Sequence, residues 1–174
     1  IGSHFVEAML KTTDWTVVGL DRIDETSSLE RILDTDAYHQ HKNRFRFVWH
    51  DLRAPINGSV AYAIGDIDIV LHLAASTHVD RSILDPPSFV MDNVLGTAHL
   101  LEWARKTTIE LFVNFSTDEV FGSAPDGMVF LEDDPFKPGN PYAASKAAAV
   151  DLAESYYNTY KLPVTTTFCM NVIG

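Results

Sequence analysis

Tyr142 and Lys146 stand four residues apart in Pro141-Tyr142-Ala-Ala-Ser-Lys146, a segment that reads as the opening of a helix. That spacing puts a phenol and an ammonium on one helix face, one turn apart. An ammonium so placed lowers the phenol's pKa and makes it a usable base. Upstream, the apolar run from Ile109 delivers Ser116, Thr117, Asp118 and Glu119 to its end, and four polar side chains after a buried strand suggest a site. The spacing alone is not diagnostic, because Tyr157 and Lys161 repeat it. Position separates the pairs. Tyr142 begins its helix after a Pro-rich loop, near the strand bearing Thr117, whereas Tyr157 lies toward the far end. Tyr157 and Lys161 therefore read as ordinary surface or interface residues.

The elements that must hold these residues alternate. Phe5, Val6, Met9 and Leu10 recur at helical spacing, and residues 15–20 form an apolar run that reads as a buried strand. The pattern then predicts a helix over 29–33, a strand over 45–50, a short helix over 60–64 and a strand over 67–73. A long helix is expected over 88–106, a strand over 109–115, a polar loop to Gly139, a helix over 142–160 and a last strand from Pro163. His39 and His41 fall in a polar stretch and read as solvated. Alternation of this kind implies an α/β fold with a doubly wound parallel sheet covered on both faces. Such sheets bind ligands beyond the carboxyl ends of their strands.

Three strand ends carry candidates: Asp21, then His50-Asp51-Leu52, then His72-Leu73-Ala74-Ala75. An acidic residue closing the second strand of a dinucleotide fold accepts hydrogen bonds from a ribose diol and repels a 2′-phosphate. Asp21 thus favours NAD over NADP. Taken alone it reads more readily as a turn or capping residue, because Asp is common in turns, and Arg22 beside it weakens the NAD preference slightly.

The chain has 174 residues, 46% of them hydrophobic, and a net charge of −11. That balance disfavours a nucleic-acid backbone as partner. Cys169 is the single cysteine, so no intrachain disulfide is possible, and no apolar run has the length of a membrane span. A cytoplasmic location with no membrane partner is the expectation. The seven histidines show no metal-ligand spacing. Neither an internal repeat nor a linker divides the chain.

Tyr142-x-x-x-Lys146, with Thr117 twenty-five residues before the Tyr, is similar to the catalytic Thr/Ser, Tyr and Lys of extended short-chain dehydrogenases. Thr117-Asp118-Glu119-Val120-Phe121-Gly122 resembles the Thr-Asp-Glu-Val-Tyr-Gly signature of the dTDP-glucose 4,6-dehydratases. His72-Leu-Ala-Ala-Ser-Thr-His78-Val-Asp80-Arg81-Ser82-Ile83 resembles their His-Leu-Ala-Ala-Glu-Ser-His-Val-Asp-Arg-Ser-Ile stretch. Ile1-Gly2-Ser3 is similar to the tail of the family's glycine-rich loop, with Gly2 as its third glycine. Met170-Asn171-Val172-Ile173-Gly174 is similar to a Ser-Asn-Asn-Tyr-Gly run. Phe121 stands for the usual Tyr, Ser76 for the usual Glu, and Val172-Ile173 for Asn-Tyr.

The resemblance implies a partial Rossmann-like NAD-binding domain, with the first strand upstream of Ile1 and a substrate domain after Gly174. It implies an internal redox cycle in which NAD takes hydride from C4 of a sugar nucleotide, water leaves across C5 and C6, and the hydride returns to C6. Tyr142 would be the C4 base, assisted by Thr117 and Lys146, with Glu119 as base and Asp118 as acid for the elimination. Gly2, Asp21, Asp51, Leu52, Leu73, Ala74, Ala75, Tyr142 and Lys146 would hold NAD. His78, Asp80, Arg81, Asn93 and Asn171 would hold substrate, although Asp80-Arg81-Ser82 reads equally as a loop ion pair with a helix cap. The family pairs its long helices in a homodimer, which the apolar residues of 88–106 and 142–160 permit. A 4-epimerase, a decarboxylase of the same superfamily and a noncatalytic nucleotide-binding domain are the rivals. The 174 residues by themselves are expected to be inactive.

Overall fold

A computed structural model describes residues 1–171. The expectations for Val172, Ile173 and Gly174 lie outside the described residues. The chain divides into two compact units, Ile1–Asp51 with Ile56–Gly65, and Leu52–Pro55 with Asp66 onward.

In the first unit, α1 (Gly2–Thr12), β1 (Val17–Asp21), α2 (Glu30–Leu33), α3 (Asp36–His41), β2 (Phe45–Trp49) and α4 (Gly58–Ile64) follow in order. β1 and β2 pair in parallel, from Val17 opposite Phe45 to Asp21 opposite Trp49. Leu10, the last apolar residue of the α1 face, is fully buried. A helix leaves its final carbonyls without intrahelical partners. Arg44 meets that need for α1, donating to the carbonyls of Leu10 at 2.6 Å and Thr13 at 2.7 Å. The polar stretch holding His39 and His41, to which the sequence pattern assigns no element, is α3. Thr35 caps it, accepting from the Tyr38 amide at 3.2 Å, and Ala37 is its one buried residue. One buried alanine gives no periodic apolar signal.

In the second unit come β3 (Ile69–His72), α5 (Val79–Leu84), α6 (Pro86–Phe89), α7 (Gly96–Ala104), β4 (Leu111–Thr117), α8 (Pro141–Tyr160) and β5 (Val164–Cys169). The sheet order is β3-β4-β5, all parallel. Phe112 and Leu101 are fully buried, each stabilising the fold by about 1.5–3 kcal/mol relative to exposure. α8 turns small residues inward, with Ala143, Ala147, Ala149 and Ala153 buried. Pro141 at its first turn and Asn140 as cap fix where it starts.

The helix expected over 88–106 is interrupted. Val90–Leu95 is a π-helical turn between α6 and α7. Gly96 follows it, and a Cβ there would stand 3.3 Å from the Leu52 Cβ. The segment 79–84, which was read as motif rather than element, is helical. No helix among the described residues is long and apolar enough to cross a membrane.

Candidate active site

β4 is the middle strand of its sheet, and its last residue is Thr117. The chain then tightens into a 3₁₀ turn over Asp118–Phe121. Thr117 organises that turn: its hydroxyl accepts from the Glu119 amide at 3.3 Å and donates to Asp118 Oδ1 at 3.2 Å. The turn ends at Gly122, whose φ of 80° belongs to the left-handed region and where a Cβ would collide with the Lys137 carbonyl. Only glycine suits that position. The chain leaves there and returns at Lys137, whose amide donates to the Val120 carbonyl at 2.9 Å. Phe121 packs among Phe130, Phe136 and Phe168, so the ring at this position sits in a wholly apolar cluster.

The returning chain starts α8 and sets Tyr142 beside Thr117, close enough for the hydroxyl to favour the ionised phenol. The ring is held edge-on to Phe89, with centroids 6.4 Å apart. Lys146, one turn on, is 5% exposed and donates to the Phe115 carbonyl at 2.6 Å. Burial presses its pKa down to about 8, partly countered by Cys169. Tyr142 moves the other way from the expectation. Burial raises its pKa, the Thr117 hydroxyl lowers it, and the charges of Glu119 and Asp118 raise it again. Burial is the largest cause, the two carboxylates that face the phenol add to it, and the ammonium that was expected to oppose them is turned to a backbone carbonyl.

A buried ammonium has three donors to satisfy, and Lys146 gives one to Phe115. The Ser116 hydroxyl and both ends of the Asn114 amide are buried without a partner among the described residues. Native buried polar groups are nearly always paired, and a ligand rich in vicinal hydroxyls suits such a donor set.

Beneath these groups lies a layer that sequence reasoning missed. Asn93, in the π-helical turn, is 1% exposed. Its Oδ1 accepts from the Ser76 amide at 2.8 Å, and its Nδ2 donates to the Ser76 carbonyl and to Ser145 Oγ, each at 2.9 Å. Both N–H donors are committed within the fold, and Asn93 ties the loop after β3 to α8. Asp92 accepts from Arg53 Nε at 2.5 Å and from Ser76 Oγ at 2.7 Å. His72 meets Thr97 Oγ1 at 2.8 Å, and burial, with Lys146 adding to it, drops its pKa to about 3. A neutral, structural histidine results. The sequence carries no signal for this layer, because the extra residue of a π-helical turn leaves no signature in apolar spacing.

The other expected residues are placed as follows. Leu73 and Ala75 are half-buried and Ala74 exposed in the loop after β3, with His78 exposed at the head of α5 and Asp80 and Arg81 exposed on it. Asn171 is exposed beyond β5. Leu52 is half-buried, its carbonyl meeting His99 Nδ1 at 2.8 Å. In the first unit, Asp21 is exposed and its Oδ1 accepts from the Ile23 amide at 2.7 Å, so the turn reading of that residue is realised in the structure. Asp51 stands 3.8 Å from the Arg22 guanidinium. Gly2 opens α1, where a Cβ would meet nothing within 4 Å.

Parallel ladders flanked by helices, with a Tyr-x-x-x-Lys helix arriving beside a Thr-ended strand, define a Rossmann-like α/β protein of the dehydratase and epimerase type. Within that class, the chain belongs to the family described as GDP-mannose 4,6 dehydratase, whose model matches residues 1–174. It is 41% identical to the low-salt glycan biosynthesis protein Agl12 of Haloferax volcanii, covering all of this chain and 54% of that one. It is 37% identical to the dTDP-D-glucose 4,6-dehydratase of Mus musculus, covering 48% of it. Among solved structures, the dTDP-glucose 4,6-dehydratase DesIV of Streptomyces venezuelae with NAD bound matches at TM-score 0.90 and 37% identity, over 99% of this chain and 53% of that one. A UDP-N-acetylglucosamine 4-epimerase of Methanobrevibacter ruminantium matches at TM-score 0.84 and 25% identity, over 99% and 52%. The chain spans about half the length of the curated relatives it matches.

Proposed function

We propose that this chain is the partial NAD-binding domain of a sugar-nucleotide 4,6-dehydratase that converts dTDP-glucose to its 4-keto-6-deoxy product. The observation that carries the reading is the carboxylate pair Asp118 and Glu119, set on a turn organised by Thr117 and acting on the Tyr142 phenol.

NAD, when bound, supplies the hydride acceptor for C4 and the donor for C6. The unspent donors of Lys146 suit the nicotinamide ribose hydroxyls, and Ala74 and Ala75 line its approach, with Gly2, Asp21, Asp51, Leu52 and Leu73 as further contacts. Thr117 hydrogen-bonds the C4 oxygen and Tyr142 takes its proton. Lys146, drawn from the Phe115 carbonyl toward the phenol, reverses the upward shift of the Tyr142 pKa. Once C4 is a ketone the C5 proton is acidic. Glu119 removes it, and Asp118 protonates the departing C6 hydroxyl. His78, Asp80, Arg81 and Asn171 contact substrate.

The parent protein is read as a cytoplasmic homodimer, paired through α7 and α8, where Tyr156 and Tyr160 of α8 cluster with Arg105 just past the end of α7. The 174 residues alone are read as inactive. The test is mass spectrometry of the products after the full-length protein is incubated with NAD and dTDP-glucose. Loss of one water supports the dehydratase. Unchanged mass with C4 inverted would replace this reading by the 4-epimerase one, which the match to solved epimerases favours.

A further inference from the structure

Asn140 has two tasks in one planar group. It is extended, with φ −148° and ψ 165°, and caps α8 by accepting from the Ala143 amide at 2.8 Å. Its other end donates to Glu119 Oε2 at 3.0 Å. The orientation of an amide is assigned from its partners, and here both agree: a backbone N–H needs an acceptor and a carboxylate needs a donor. Ser, Thr and Asp cap helices as well as Asn does, but among these Asn alone offers the capping oxygen and a second, N–H donor on the same rigid plane. The chain between Gly122 and Lys137 makes this contact possible, because the Lys137 to Val120 hydrogen bond returns the backbone to the turn that carries Glu119.

We propose that Asn140 is a positioning residue for the elimination step. Its amide locks the Glu119 carboxylate to the N-terminus of the helix that carries Tyr142, so the C5 base and the C4 base keep one fixed relation. The groups facing Glu119 make such a tether necessary. Asp118 sits beside it on the same turn, and the Tyr142 phenol faces it from α8, while the Lys146 ammonium on that helix is turned to Phe115. A carboxylate with a like charge beside it swings toward solvent unless a neutral donor holds it. The inference rests on the reading of Glu119 as base.

The test uses the full-length protein in four forms: wild type, Asn140→Asp, Glu119→Gln and the double variant. Asn140→Asp keeps the capping oxygen and exchanges the donor for a carboxylate oxygen. It should leave the melting temperature near wild type and KM within about twofold. kcat for water loss and solvent deuterium entry at C5 should fall about ten- to a hundredfold, as misplacement of a reacting group does. In the Glu119→Gln background the same change should cost almost nothing further, because Asn140 acts through the lost carboxylate. Asn140→Ser, which caps but cannot reach, should show the smaller part of the defect. If Asn140→Asp keeps wild-type kcat while Glu119→Gln is impaired, Asn140 is a cap only and the inference fails. Equal losses from Asn140→Asp in both backgrounds would overturn it too. If Glu119→Gln eliminates water normally, the base reading itself falls and takes the tether's purpose with it.

Discussion

Along α8 the sequence writes Tyr-x-x-x-Lys twice, and the two ends of the helix treat the pattern differently. At the first end Tyr142 and Lys146 are both buried, the phenol against Thr117 and the ammonium against the Phe115 carbonyl. At the second, Tyr157 is 52% exposed, and Lys161 has already left the helix with a φ of 58°, its ammonium donating to the Asn158 carbonyl at 3.0 Å. Four-residue spacing gives two residues a common face only while the backbone stays helical. It gives them unusual chemistry only where that face is covered, since burial moves pKa values far more than a solvated neighbour does.

The sharpest way to break this comparison is to remove each lysine. Lys146→Met in the full-length protein should lower turnover by about 10²–10⁴-fold, the usual weight of a positioned proton-transfer group, whereas Lys161→Met should leave it within about twofold. Lys146→Met should also raise the melting temperature, because a buried ammonium is lost; activity and stability trade at such sites. Equal turnover in the two variants would erase the distinction.

Next in size is acid stability. His72 has a folded pKa of about 3 against a usual 6.5, so between those values the unfolded chain binds a proton that the folded chain refuses. Stability from this residue is complete above about pH 6.5 and is lost as pH falls toward 3. Urea unfolding at pH 7 and pH 4 should therefore show a smaller drop for His72→Gln than for wild type. Identical drops would mean that the burial of His72 has no such effect.

Asn93→Ala should cost about 2–3 kcal/mol in the same urea experiment, since it strips partners from half-buried Ser76 and buried Ser145. A loss under about 0.5 kcal/mol would show that the tie between the β3 loop and α8 is dispensable. Smallest is Lys161→Gly, which relieves a left-handed lysine at the far end of α8 and should stabilise by at most about 1 kcal/mol. Calorimetry showing a destabilised variant would mean that the Lys161 side chain outweighs its backbone strain.

The same contrast explains what the sequence could reveal. α8 was legible over 142–160 because a long run follows a Pro-rich loop, and the structure starts it one residue earlier, at Pro141. β4 and its polar end were legible because the apolar run that starts at Ile109 gives way to Ser116 and Thr117, although the strand spans Leu111–Thr117 and not 109–115. α3 and α5 were not, because each buries one residue and offers no stripe. The direction of the Tyr142 shift was not legible either. Spacing places Lys146 on the right face but says nothing of the Phe115 carbonyl that captures its ammonium. Asn93 was legible as a polar residue worth naming, but its ties to Ser76 and Ser145 were not, since only three dimensions show both its donors spent inside the fold.

The π-helical turn at Val90–Leu95 carries a consequence for how this protein can vary in length. Such a turn is an α-helix that has accepted one extra residue, and each residue advances a helix by about 100°. A one-residue deletion there would give an unbroken helix that the backbone tolerates readily. It would also swing Asn93 and Thr97 around the axis, away from Ser145 and His72. A natural variant missing that residue would keep the shape of the segment and lose the knot beneath the site, so gaps in this turn should mark lineages that have abandoned the chemistry.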